Sequence, residues 1–161
     1  MLDLRLSSAP KIGTRSTVLF PGPAEAYLGL APRVRQAERQ GHRFHDYQAP
    51  VFCLRREGSD LESVFVAVHE PVNGGGPKRT AQTEAVPGGM LVTVEGGDDR
   101  DTFVMGYDGA IEVEKEMSDG GFEFRGAYGL LRSGRGEAHL VGGERIALGN
   151  LKAEGVSGWE G

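Results

Sequence analysis

The side chains able to do acid–base or metal chemistry are few in this chain and lie apart. There are four histidines and one cysteine in 161 residues. The densest set is His42-x-x-His45-Asp46. Two histidines three positions apart share a face only on a helix, where they would suit zinc or copper. Gly41 and the polar surroundings weaken a helix there, so solvated loop histidines are the plainer reading. His69-Glu70-Pro71 ends an apolar run; a histidine beside a carboxylate is a general acid or base in form, and equally a cap on the turn that Pro71 starts. His139, between Ala138 and Leu140, reads as an outward strand residue without a role.

Three further patterns imitate known sites and fail on detail. Asn73-Gly-Gly-Gly-Pro-Lys78-Arg-Thr80 lacks the spacing of a phosphate loop, and Pro77 removes a backbone donor where one is needed. Asp98-Asp99-Arg100-Asp101 lacks the alternating oxygens and the glycine of a calcium loop and reads as a solvated turn. The chain has no GxSxG elbow, no HExxH, no Ser/His/Asp order and no dinucleotide fingerprint. Cys53, the single cysteine, excludes an internal disulfide and a CxxC zinc site. Within the apolar stretch Val51–Leu54 it reads as a buried, inert thiol.

Composition sets the frame that must hold these groups. The length suits one domain, here residues 1–161, with a sizeable core. Twenty-six glycines, scattered singly and in pairs without a Gly-X-Y period, imply many tight turns and many short strands. No apolar run is long enough for a transmembrane helix, and Met1–Leu6 is not a signal peptide. The net charge is −5. That argues against nucleic acid as a partner, and no membrane partner is expected. The charge is uneven: residues 32–56 carry six arginines against Glu38 and Asp46, while residues 95–123 carry ten acids against Arg100 and Lys115. The two segments are either solvated faces or, at the first, a basic groove for an anionic ligand.

Strand signals fill most of the chain. Expected strands are 2–6, 17–20, 51–57, 63–69, 80–86, 90–95, 102–107, 110–116, 122–131, 137–141 and 145–148, separated by Gly/Asp/Pro clusters. Spacing of this kind predicts an all-β antiparallel β-sandwich. Gly58-Ser59-Asp60 should close a hairpin between 51–57 and 63–69. Asp108-Gly109 should close another through a type I′ turn that opposes Val104 to Val113 and puts Val104, Ile111 and Val113 on the core face. The expected core includes Phe52, Leu54, Val64, Val66, Val68, Val92, Val104, Val113, Phe124 and Leu140. Residues 32–46 read as a mobile polar excursion with few apolar anchors, the least protected stretch against hydrogen exchange.

Pro50-Val-Phe-Cys-Leu-Arg-Arg-Glu-Gly58, Asp60-Leu61 and Ser63-Val-Phe-Val-Ala-Val-His-Glu-Pro71 resemble the C-terminal β-sandwich of heparinase II/III-like polysaccharide lyases. So do Phe124-Arg-Gly-Ala-Tyr-Gly-Leu-Leu-Arg132 and His139-Leu-Val-Gly-Gly143. The resemblance runs from about Ala31 onward and rests on strand-and-turn patterns. It implies a whole enzyme with an α-helical toroid that cleaves uronate polysaccharides by β-elimination. It also implies that this chain is a non-catalytic accessory module whose partner is the toroid domain and whose parent is periplasmic or secreted. No segment matches the toroid or the zinc-ligand stretch, so no catalytic residue, metal ligand or cofactor is carried over. Arg43, His45, Tyr47 and His69 are the candidate substrate-binding residues, with an acidic polysaccharide as ligand.

The alternative is a stand-alone β-sandwich module that binds carbohydrate or protein. A module built to pack on another domain should expose a contiguous apolar patch. A self-sufficient sugar binder should show a groove with aromatic platforms such as Tyr47 or Tyr107.

Overall fold

The structure, a computed structural model, describes residues 2–5, 11–20, 23–32, 48–59, 61, 63–74 and 78–155. Among the described residues twelve strands follow one another: β1 (Leu2–Arg5), β2 (Ile12–Leu19), β3 (Glu25–Pro32), β4 (Gln48–Arg55), β5 (Val66–Asn73), β6 (Thr80–Val86), β7 (Gly89–Gly96), β8 (Asp99–Gly106), β9 (Ile111–Met117), β10 (Gly120–Arg132), β11 (Glu137–Leu148) and β12 (Leu151–Glu154). Every ladder is antiparallel. The fold is all-β and sandwich-like, as the turn spacing implied.

The chain divides into two compact units, Phe20–Val64 and the rest. The smaller unit contains a two-stranded ribbon, β3 with β4, in which Leu28 opposes Phe52 and Tyr27 opposes Cys53. The larger unit contains a three-stranded sheet, β1-β2-β5, and a seven-stranded sheet in the order β12-β11-β10-β8-β7-β6, with β9 also on β10.

The core of the larger unit sits on one face of the seven-stranded sheet. Leu91, Val104, Val113, Phe122, Phe124, Leu131, Ile146 and Leu148 form one buried cluster, with Ile111 and Leu140 packed against it. Strand β7 is apolar in almost every position because it is buried on both faces: Met90, Val92 and Val94 point away from Leu91 and are buried too.

Strand β10 organises this sheet. Its first half pairs with β9 and its second half with β8, while β11 runs along its other edge. The ladder to β11 slips between Arg125 and Gly126. Opposite it Glu144 is the extra residue, between Gly143, which pairs with Gly126, and Arg145, which pairs with Arg125; two residues before it Gly142 takes φ 57°, in the left-handed region that glycine tolerates. Gly142-Gly143 therefore runs into a bulge inside one strand and is not the turn between two that the sequence reading expected.

Other pairings differ from expectation. Residues 51–57 and 63–69 do not form a hairpin; β4 takes β3 as partner and β5 takes β2. No ladder joins β8 to β9. The Tyr107 amide, which a 107–110 hairpin would use, donates instead to the Gly88 carbonyl at 2.9 Å. The chain corners at Asp108-Gly109 and delivers β9 to β10. Val104 and Val113 still meet in the core, through β10 rather than across a hairpin.

Of the ten expected core residues, Val92, Val104, Val113 and Phe124 are buried. Leu140 packs at the edge of the cluster. Phe52 is exposed and Leu54, Val66 and Val68 are half-buried, because their strands lie in the ribbon and the small sheet; Val64, half-buried too, precedes β5. Cys53 is exposed, not buried, for the same reason. The expected excursion at 32–46 lies, beyond Pro32, outside the described residues.

Candidate functional site

Of the candidate substrate-binding residues, His69 lies among the described residues, and the ladder between β2 and β5 determines what it can do. The Gly74 amide donates to the Lys11 carbonyl at 2.7 Å. With Asn73 opposite Ile12, this sets the parity of the whole ladder. Residues 66, 68, 70 and 72 exchange backbone hydrogen bonds with β2. Residues 67, 69, 71 and 73 turn their amides and carbonyls to the other side. Side chains in the second class of pair approach more closely. His69 faces Ser16 in such a pair, and Ser16 Oγ lies 2.8 Å from His69 Nδ1. Pro71 falls on an outward position too, where its missing N–H costs the β2 ladder nothing.

Strand alternation sends Glu70 to the opposite face from His69. There it meets Arg15, whose Nη1 lies 3.8 Å from Glu70 Oε2 with both side chains largely buried. The His69-Glu70 neighbours are therefore not an acid–base pair, and Pro71 lies within a strand rather than starting a turn. Ser16 and His69 have the separation of a nucleophile and its base. Among the described residues no carboxylate lies on the other ring nitrogen to complete a relay. The arrangement orients the imidazole of an exposed histidine with a buried hydroxyl.

His69 borders a groove of about 470 Å³. One wall is five consecutive residues, Ala67 to Pro71, and the other side is Arg79, Val94, Asp101 and Phe103. Because residues from both faces of β5 line it, the groove follows the edge of that strand. Arg79 Nη1 lies 3.3 Å from Asp101 Oδ2, and Arg132 Nε lies 3.6 Å from Asp101 Oδ1. Gly96 makes room for this pairing: a Cβ there would sit 2.6 Å from Arg79 Cγ.

The outer face of β9, β10, β11 and β12 carries a lattice of exposed charges. Arg125 is held by Glu112 and Glu144, and Arg145 by Glu123 at 2.6 Å and Glu154 at 3.1 Å. Hydrogen bonds that Arg125 donates to Glu112 and then to Glu144 raise its pKa above the ordinary value. The acidic tilt of residues 95–123 is thus answered by arginines from neighbouring strands. Arg100 similarly ties the turn at Ser118-Asp119 to β8, with Nη1 2.6 Å from Ser118 Oγ and 2.9 Å from Asp119 Oδ2. These networks fasten strands, and among the described residues they leave no convergent group aimed at a ligand.

Of the four candidate substrate-binding residues, His69 is placed on β5. Arg43, His45 and Tyr47 lie outside the described residues, as do His42 and Asp46. No cluster of three or more metal-ligating side chains is found among the described residues. Tyr107 is exposed, but it does not line the groove beside β5. Sequence reading missed Arg79, Asp101 and Phe103. Gly96, taken only for a turn residue, was the one local signal of a close approach. No family model matches the chain, and searches of curated proteins and of solved structures return no match.

Proposed function

We propose that this chain is a non-catalytic C-terminal β-sandwich module of a heparinase II/III-like polysaccharide lyase, which packs on the helical domain of that enzyme. The observation that carries this reading is the β3–β4 ribbon. On one of its faces Leu28 and Leu30 are each 66% exposed and Phe52 is 38% exposed, and Leu28 stands directly opposite Phe52. A two-stranded ribbon is marginal by itself. One that presents large apolar side chains together has the character of a contact surface awaiting a partner.

The arrangement of charged groups supports the non-catalytic part. β-Elimination requires a neutraliser for the uronate carboxylate, a base and an acid held around one sugar. His69 is tied to Ser16, and the arginines described above are engaged by carboxylates on neighbouring strands.

The DNA upstream of the Met1 codon tests the proposal. A reading frame that continues into, or lies beside, a frame for an α-helical toroid is the expected result. A locus with neither contradicts it. The chain alone should produce no unsaturated product from heparin, heparan sulfate, hyaluronan or alginate, followed by ultraviolet absorbance. Turnover that is lost in His45→Ala or Tyr47→Phe would overturn the non-catalytic assignment.

A further inference from the structure

Strand β5 is the last strand of its sheet: its one ladder partner among the described residues is β2. The parity derived above specifies what its other side offers. Ala67 and His69 present both an amide donor and a carbonyl acceptor outward, and Pro71 presents a carbonyl only. A long open edge is a liability that proteins usually blunt. Here Pro71 blunts one end, and the stretch before it borders the apolar groove over Val94 and Phe103.

Its volume, about 470 Å³, is in the range of real binding clefts. The groove combines a backbone ladder half with alternating apolar space, which are the two requirements of strand addition. Two carboxylates line it, and Glu70 is engaged by Arg15. Asp101 is shared between Arg79 and Arg132, and 38% of the Arg79 side chain remains exposed. That guanidinium has capacity for a second carboxylate.

We propose that the edge of β5 receives an extended peptide segment of a partner protein. The segment hydrogen-bonds to Ala67 and His69, turns alternate apolar side chains toward Val94 and Phe103, and sets an acidic side chain against Arg79. The proposal goes beyond the docking role of the β3–β4 ribbon and uses none of its residues, so either can fail while the other stands.

The probe is a capped heptapeptide, Thr-Val-Thr-Val-Glu-Val-Thr, and the readout is amide hydrogen exchange in the full chain. Saturating peptide should slow exchange at Ala67 and His69 at least tenfold. Val68 and Glu70, already bonded to β2, should not change. N-methylation of alternate peptide amides should abolish the effect. Ala67→Pro removes an outward donor without touching the β2 ladder and should weaken binding at least tenfold. Arg79→Glu should reverse the preference between the glutamate peptide and its lysine counterpart, a readout that survives if Ala67→Pro fails to fold. Absence of protection at Ala67 and His69, or equal protection by the N-methylated peptide, would overturn the proposal. Protection without peptide that grows with protein concentration would assign the edge to a second copy of the chain and overturn it too.

Discussion

Single residues in this molecule act mainly by how little space they occupy or leave. Gly129 lies on β10 where a Cβ would sit 2.5 Å from Ile146 Cδ1 and 2.8 Å from Phe124 Cε2. Both neighbours are almost fully buried, so neither can retreat without disturbing the core. Gly129→Ala should therefore destabilise the chain by about 1–3 kcal/mol, the usual cost of overpacking. Urea denaturation measures this, and an unchanged midpoint would show that the core yields more easily than its packing implies. Cys53 is the opposite case. It is exposed on β4, so the native chain should react fully with a thiol reagent such as Ellman's. Reaction only after addition of denaturant would restore the buried thiol that its apolar neighbours in sequence suggest.

At the scale of the element, the bulge in β11 is the feature that the sheet depends on. Gly142 sits at φ 57°, and a Cβ at Gly143 would lie 2.5 Å from the Arg125 carbonyl oxygen. Gly142→Ala should cost about 1–2 kcal/mol for the left-handed conformation, read as a lowered melting temperature with the β-rich circular dichroism retained. No loss of stability would mean that the strand running into the slip between Arg125 and Gly126 does not need Gly142.

The same strand shows what was legible in the sequence. Glycine pairs announce a break in regular backbone, but a turn and a bulge use the same residue, and only the partner strand distinguishes them. Strands β6 and β7 could be read almost to the residue because Pro87-Gly88-Gly89 closes them locally. The partners of β4 and β5 could not, since β3 and β2 lie upstream and nothing in the intervening sequence encodes the choice. Strand β3 was missed because Ala-Tyr-Leu-Gly-Leu-Ala offers no alternation of polar and apolar residues. His69 was legible as a chemical group. Its partner Ser16 was not, because that contact follows from the register of β2 against β5. The pairing of Arg79 with Asp101 depends in the same way on neighbouring strands of the large sheet.

At the scale of the whole molecule, the apolar residues have two destinations. In the larger unit they close a core around Val104, Phe122, Phe124 and Ile146. On the ribbon, Leu28, Leu30 and Phe52 face outward. The first arrangement makes a fold, and the second makes sense as half of an interface. An apolar face of this kind gains its stabilisation when a partner covers it, at roughly 25 cal/mol for each Å² removed from water. The most direct test is sedimentation velocity of this chain mixed with the α-helical domain that the proposal places in or beside its reading frame. The expected result is a one-to-one complex that Leu28→Ser with Leu30→Ser dissolves while the β-rich spectrum of the chain is unchanged. Separate sedimentation of the two wild-type proteins, or a complex indifferent to the double substitution, would contradict the account.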